Sequence, residues 1–178
     1  GDGLIGSYHY ERTGCGGKDQ HHFRLALCDF EALTRSRDYL RQCRIETHEF
    51  VFAAASATRR LMRGIRTYAR ANVEEIKRLI GWPENPSRQW LAGFMAGIFD
   101  AEGSYSGGVL RISSTNNEII RWIERGMREF GLPCVVEHQH RIFTKPIDVV
   151  RARGGLQQHL RFFHTFDPAI SRKLDISG

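Results

Sequence analysis

Lysine is scarce in this sequence. Of 26 basic residues only four are lysines (Lys18, Lys77, Lys145 and Lys173). Cysteine is scarce too: Cys15, Cys28, Cys43 and Cys134 stand far apart and form no C-x-x-C pair. That spacing excludes a zinc ribbon and a dithiol redox motif, and four reduced thiols are expected. No apolar run approaches the roughly 18–20 residues that cross a bilayer, so no membrane partner is expected. Gly1–Tyr10 shows no basic stretch followed by an apolar core, and no secretory signal is read there. An intracellular protein is expected. The 178 residues suffice for a buried core without a disulfide or metal staple. A hydrophobic content of 41% and a mean hydropathy of −0.40 exclude a disordered chain.

Arginine fills the place of lysine, at 22 residues, and the net charge is +6. Its planar fork pairs bidentately with phosphate and guanine edges, which lysine cannot do. A basic, arginine-rich chain points to nucleic acid. A GC-rich genome makes the same exchange, so composition alone leaves both sources open.

The chain repeats itself. At an offset of 87, Arg24–Ile45 lies beside Arg111–Leu132 without a gap. Arg24/Arg111, Glu31/Glu118 and Arg41/Arg128 are identical, and Asp29 meets Asn116, both good helix N-caps. Each half reads strand, strand, helix, strand, strand, helix. In the first half, strands are expected at Leu4–Tyr10 and His22–Leu27 around the glycine-rich turn Thr13–Gly17. A helix from Asp29 to about Cys43, strands near His48–Ala54 and Leu61–Tyr68, and a helix Asn72–Ile80 follow. In the second half the counterparts are Gly103–Gly107, Val109–Ser113, a helix from Asn116 to Phe130, strands Val135–Arg141 and Ile147–Arg153, and a helix Leu156–Phe166. The expected class is α+β, a duplicated pseudo-twofold fold with two antiparallel sheets. Its parts are residues 1–80, a proline-broken linker 81–89, and residues 90–178.

Between the halves runs the apolar stretch Trp90–Tyr105. As a helix it places Gly93, Gly97 and Ala101 on one stripe. Glycine inside a helix costs up to ~1 kcal/mol against alanine, so the stripe implies close approach of another backbone. The helix ends in acid, Asp100 and Glu102, just before Gly103. A carboxylate there opposes the helix dipole by roughly 0.3–1 kcal/mol, which suggests a cation at that end. Carboxylate oxygen with open water positions suits Mg²⁺.

Met95-Ala96-Gly97-Ile98-Phe99-Asp100-Ala101-Glu102-Gly103 resembles the nine-residue motif of the LAGLIDADG homing endonucleases, with Glu in place of the second Asp. Gly1-Asp2-Gly3 resembles the last three letters of a first copy, and the first motif helix is then expected ahead of Gly1. The resemblance implies the duplicated αββαββα fold, a pseudo-twofold monomer whose motif helices pack together and whose sheets form a saddle on duplex DNA. It implies a site-specific double-strand break leaving short three-prime overhangs. The penultimate acids, Asp2 and Glu102, are the implied metal ligands, for Mg²⁺ with Ca²⁺ or Mn²⁺ as substitutes. Asp100 matches the more structural acidic position. The family's basic catalytic residue falls on Lys173, and its first-half counterpart on Arg88, since Pro83 and Pro168 align at an offset of 85.

The resemblance also places base readers on alternate strand residues. These are His22 and Arg24, Arg111 and Ser113, Arg63 or Arg66, Glu137, Gln139 and Arg141, and Arg151 with Arg153. Without aromatic interleaving among them, duplex rather than single-strand binding is expected. A non-cleaving LAGLIDADG-like DNA- or RNA-binding protein, a maturase or regulator, is the second reading. A histidine–metal nuclease site at His21-His22 or His138-Gln139-His140 is the third.

Overall fold

The computed structural model describes residues 2–12, 15–139 and 145–176, with side chains described outside 10–12 and 15–18. The chain divides into two compact units, Gly1–Pro83 and Glu84–Gly178.

In the first unit, β1 (Asp2–Arg12) pairs with β2 (Cys15–Leu27), α1 (Phe30–Gln42) follows, and β3 (His48–Ala53) and β4 (Met62–Thr67) precede α2 (Arg70–Ile80). The second unit opens with α3 (Arg88–Glu102). Then come β5 (Gly103–Ser106), β6 (Val109–Ser114), α4 (Asn117–Glu129), β7 (Cys134–Gln139), β8 (Ile147–Ala152) and α5 (Gly155–Phe166), and a 3₁₀ turn at Ser171–Lys173. Each unit holds a four-stranded antiparallel sheet, in the orders β1-β2-β4-β3 and β5-β6-β8-β7. The two orders are the same permutation. This is the expected duplicated α+β architecture, with the full αββαββα order in the second unit.

The first hairpin is longer than its side-chain pattern suggests. Pairing continues past Tyr8↔Gln20 to Arg12↔Cys15, across an irregularity between Tyr10 and Arg12. Ladder hydrogen bonds involve only backbone, so the polar run Cys15–Gln20 extends a strand although it lacks β-favouring residues.

Alternation separates the faces. In the first sheet Leu25 pairs with Ile65, and Ile65 is fully buried with Leu33 of α1 and Val73 and Ile76 of α2 also in the core. In the second, Leu110, Ile112, Val150 and Ala152 join Met95, Phe99, Ile123, Met127 and Phe162 in one buried cluster. Its rings pack edge to face, with Phe162–Phe166 centroids at 4.7 Å and Phe130–Phe166 at 4.9 Å. Such pairs contribute roughly 0.5–1.5 kcal/mol each beyond the area they bury.

The helix α3 buries Leu91, Met95 and Phe99, which recur at four-residue spacing. Ser87 caps it, its Oγ accepting from the Trp90 N–H at 3.0 Å. On the opposite side Gly93, Gly97 and Ala101 are exposed, and a Cβ added at Gly93 or Gly97 would meet no atom within 4 Å. The close approach expected at this stripe is therefore not made within the described residues. Tight packing occurs instead at Gly126 of α4, where a Cβ would lie 2.7 Å from Met95 Cγ. Gly103 ends the helix at an ordinary φ of −78°. It must be glycine because a Cβ would collide with the ring and carbonyl of Phe99. Asn116 caps α4 by accepting from Glu118 N–H at 2.8 Å. Its repeat mate Asp29 holds the N-cap position of α1 without a side-chain capping bond, its carboxylate 3.8 Å from Arg60. No helix among the described residues is long and apolar enough to cross a membrane.

Candidate functional site

The two sheets superpose as ladders, residue on residue. Gly3 pairs with Leu25 and Gly103 with Ile112, and Leu25/Ile112 are matched positions of the repeat. Asp2 and Glu102 each precede that glycine, Asp2 as the first residue of β1, paired with Ala26, and Glu102 as the last of α3. One rung further, Arg24 pairs with Arg66 and Arg111 with Arg151. The sequence repeat alone matched Arg24 to Arg111; the register adds Arg66 to Arg151.

These arginines lie on the sheet face turned away from the helices. In the first unit that face carries Asp2, His22, Arg24 and Arg66. Directly opposed like charges destabilise a sheet. Asp2 relieves one of them, its carboxylate accepting from Arg24 Nη2 at 3.0 Å. The guanidinium of Arg24 also lies over Phe52, 4.8 Å from the ring centre, and that of Arg66 over Phe50 at 4.6 Å. His22 stands edge-on to Tyr68 at 5.0 Å and to Tyr8 at 5.9 Å. Gly64 makes room for this layer, since a Cβ there would lie 2.8 Å from the Phe50 ring. The face thus interleaves aromatics with its cations, contrary to the expectation from the strands taken singly. The rings come from β3, from β1 and from the position after β4, which only pairing brings next to β2.

Of Arg63 and Arg66, only Arg66 shares the face of Arg24. Arg63 pairs with Leu27 on the helix-covered side, where it donates to Glu49 at 3.2 Å and lies over Phe30 at 5.3 Å. The same Glu49 accepts from Arg37 of α1 at 2.9 Å.

In the second unit the open face carries Arg111, Ser113, Glu137, Gln139 and Arg151, brought together by the rungs Arg111↔Arg151 and Ser113↔Val149↔Glu137. Arg151 Nε donates to Glu137 at 2.6 Å, and Arg111 reaches Ser106 Oγ at 3.5 Å. Arg153 follows β8 on the same side and is exposed. Arg141 lies outside the described residues.

Glu102 is exposed at the C-terminus of α3, and no described residue hydrogen-bonds or ion-pairs with its carboxylate. Asp100 faces the protein, accepting from the Ala169 N–H at 2.7 Å and the Ile170 N–H at 2.9 Å. Those bonds tie the segment after α5 to the end of α3 and bring Lys173 with it. The Lys173 ammonium donates to the carbonyls of Asp100 and Gly103, both at 2.8 Å, and of Phe99 at 3.2 Å. The cation that the acidic helix end requires is thus supplied in part by Lys173, seventy residues away in sequence. Arg88 sits at the other end of the 15-residue helix, ~21 Å from Glu102 at 1.5 Å per residue. It lies over Phe130 at 4.3 Å and donates to the Glu129 carbonyl at 3.4 Å.

Among the described residues no three His, Cys, Asp or Glu side chains group as a metal cage. His138 is engaged by Asp148 at 2.7 Å, His21 by Ser7 at 2.8 Å, and His140 lies outside the described residues. The acids expected to hold metal are single carboxylates, Asp2 in the first unit and Glu102 in the second. Hard oxygen donors presented singly fit Mg²⁺, which keeps waters and takes phosphate oxygens as further ligands.

No protein-family model matches the chain, and no curated protein matches it. Solved structures do. The chain is similar to mesophilic variants of the homing endonuclease I-DmoI, with a TM-score of 0.65 and 13% identity, covering 96% of this chain and 90% of that one. It is similar to a variant of I-DmoI in complex with its target DNA in the presence of Mg, with a TM-score of 0.66 and 12% identity, covering 90% and 87%. It is also similar to the N-terminal LAGLIDADG domain of DUF199/WhiA, with a TM-score of 0.56 and 14% identity, covering 82% and 70%. The chain has the duplicated LAGLIDADG fold.

Proposed function

We propose that this protein is a site-specific DNA endonuclease that makes a metal-dependent double-strand break with short three-prime overhangs. The observation that carries the reading is that Asp2 and Glu102 each precede the glycine, Gly3 or Gly103, that pairs with a matched position of the repeat. A reaction on two antiparallel strands requires one acid per strand, presented alike.

The open faces support a polyanionic partner. Each carries a directly opposed arginine pair, an arrangement that is costly alone and favourable against phosphate. His22, Arg24, Arg66, Arg111, Ser113, Gln139, Arg151 and Arg153 contact the duplex in this reading. Asp2 and Glu102 each hold a divalent ion, Mg²⁺ in function with Ca²⁺ or Mn²⁺ as substitutes; structures of I-DmoI with DNA contain Mg, Ca or Mn. A bound divalent ion supplies a nucleophilic water at neutral pH and charge stabilisation for the leaving oxygen. Lys173 holds the last turn of α3 and thereby the place of Glu102, which makes it a positioning residue with its donors directed at carbonyls. Arg24 holds Asp2 until phosphate competes for its guanidinium.

A second reading, a DNA- or RNA-binding protein that does not cut, is favoured by the Asp2–Arg24 ion pair, which occupies one of the two acids. One experiment decides between them. A randomised duplex library is incubated with the protein and Mg²⁺, and cleaved molecules are selected. The proposal expects a recovered site that Glu102→Gln no longer cuts but still binds in Ca²⁺. Full Mg²⁺-dependent cleavage by that variant overturns the role of Glu102. Site-selective binding without cleavage by the unaltered protein supports the second reading.

A further inference from the structure

The two open faces are matched in position and opposed in chemistry. The rung Phe50↔Gly64↔Ala26 of the first unit corresponds to Glu137↔Val149↔Ser113 of the second. Phe50 therefore stands where Glu137 stands. Phe52 sits in the bulge between Val51 and Ala53, without a counterpart in the second unit, and lies under the guanidinium of Arg24. Leu4, opposite Arg24, corresponds to Ser104, opposite Arg111. Tyr68, just past β4, corresponds to Arg153, just past β8. The equivalent arginines follow suit: Arg66 lies on an aromatic ring, and Arg151 pairs with a carboxylate.

Resting on the endonuclease reading, we propose that the units read their half-sites by different chemistry. The first unit recognises the 5-methyl groups of thymine through Leu4, Phe50, Phe52 and Tyr68. The second reads hydrogen-bonding base edges through Arg111, Glu137, Gln139 and Arg153. Thymine's methyl is the one apolar group in the major groove, and side chains without donors or acceptors recognise it by contact. Leu4 is 37% and Tyr68 52% exposed, so apolar surface is open on this face. Phe50 and Phe52 meet at 72° with centroids 6.3 Å apart, and guanidinium groups lie over them. Stacking of an unpaired base needs a free ring face, and Arg24 and Arg66 each take one face of Phe52 and Phe50. The arginines over the rings are directed at the phosphates that flank such bases.

The test uses the site recovered from the library. Each thymine is replaced in turn by uracil, which removes only the methyl, and binding is measured in Ca²⁺. Burial of one methyl is worth about a fourfold change in affinity. The expected result is a loss of about fourfold per thymine, confined to one half-site. That loss disappears in Leu4→Ser and Tyr68→Ser, whose side chains are exposed, and persists in Gln139→Ala. Uracil sensitivity that is absent, equal in both halves, or removed by Gln139→Ala overturns the proposal. So does a single strand that competes as well as the duplex, which would assign the rings to base stacking. Failure to recover any duplex site would instead overturn the endonuclease reading on which the proposal rests.

Discussion

Replacing Lys173 by methionine removes a charge from the end of α3 while keeping most of the side chain's length. Its ammonium donates at 2.8 Å to two carbonyls and at 3.2 Å to a third. The two short charge-assisted bonds contribute roughly 1.5 kcal/mol each. Interaction with the negative end of the helix dipole adds about 0.5 kcal/mol. Rehydration of exposed carbonyls and recovered side-chain entropy return ~1 kcal/mol. The second unit should lose about 2–3 kcal/mol, a fall in melting temperature on the order of 10 °C for a unit of this size. Trp90 and Trp122 pack at 5.3 Å in that unit and report its unfolding, while Trp82 belongs to the first. Urea unfolding followed by tryptophan fluorescence in a Trp82→Phe background therefore isolates the effect. Hydrogen exchange should quicken at the end of α3, where Glu102 sits. A change below ~0.5 kcal/mol, with exchange there unaltered, would refute the capping role.

Two further outcomes follow from burial and its absence. His159 is 2% exposed, and neither ring nitrogen makes a hydrogen bond of normal geometry to a described residue. Burial pushes its pKa down, more than the polar backbone at Ala152 restores it. The unfolded chain therefore binds a proton that the folded one resists. Stability is intact above the unfolded value near 6.5 and falls as pH drops below it, by up to ~1.4 kcal/mol per unit. His159→Phe should flatten that slope in unfolding titrations between pH 5 and 7; unchanged slopes would assign it to other groups. On the open stripe of α3, Gly93→Ala and Gly97→Ala should each stabilise the 178-residue chain by ~0.8–1 kcal/mol. Destabilisation of that size in calorimetry would mean another backbone covers the stripe.

Local pattern made much of the molecule legible. Apolar residues at four-residue spacing in Trp90–Tyr105 and strict alternation in His22–Leu27 are properties of single segments, and both elements form where they were expected. The ends of elements followed their chemistry less closely. The polar run Cys15–Gln20 joins β2 because its backbone finds a partner, which side-chain pattern does not encode. Asp2 and Glu102 were singled out by motif resemblance, and each precedes a glycine that pairs with a matched position of the repeat.

What the sequence by itself determined was the order of elements, the duplication, and the helix that ends in acid at Gly103. The elements and the acidic helix end depend on residues within a few positions of one another, and the duplication on the recurrence of such local patterns at an offset of 87. Tertiary structure alone decided which arginines share a surface. Strand side chains alternate with period two, so only pairing with β2 puts Arg66 beside Arg24 and turns Arg63 toward α1. It decided that Lys173 closes the end of α3, because a contact across seventy residues has no local signature. It placed the tight helix contact at Gly126 rather than at the glycine stripe, since a glycine's neighbour is set by packing and not by its own helix. It also set three apolar side chains, Leu4, Phe50 and Tyr68, where the repeat has polar ones, a difference that emerges only when equivalent rungs are laid side by side.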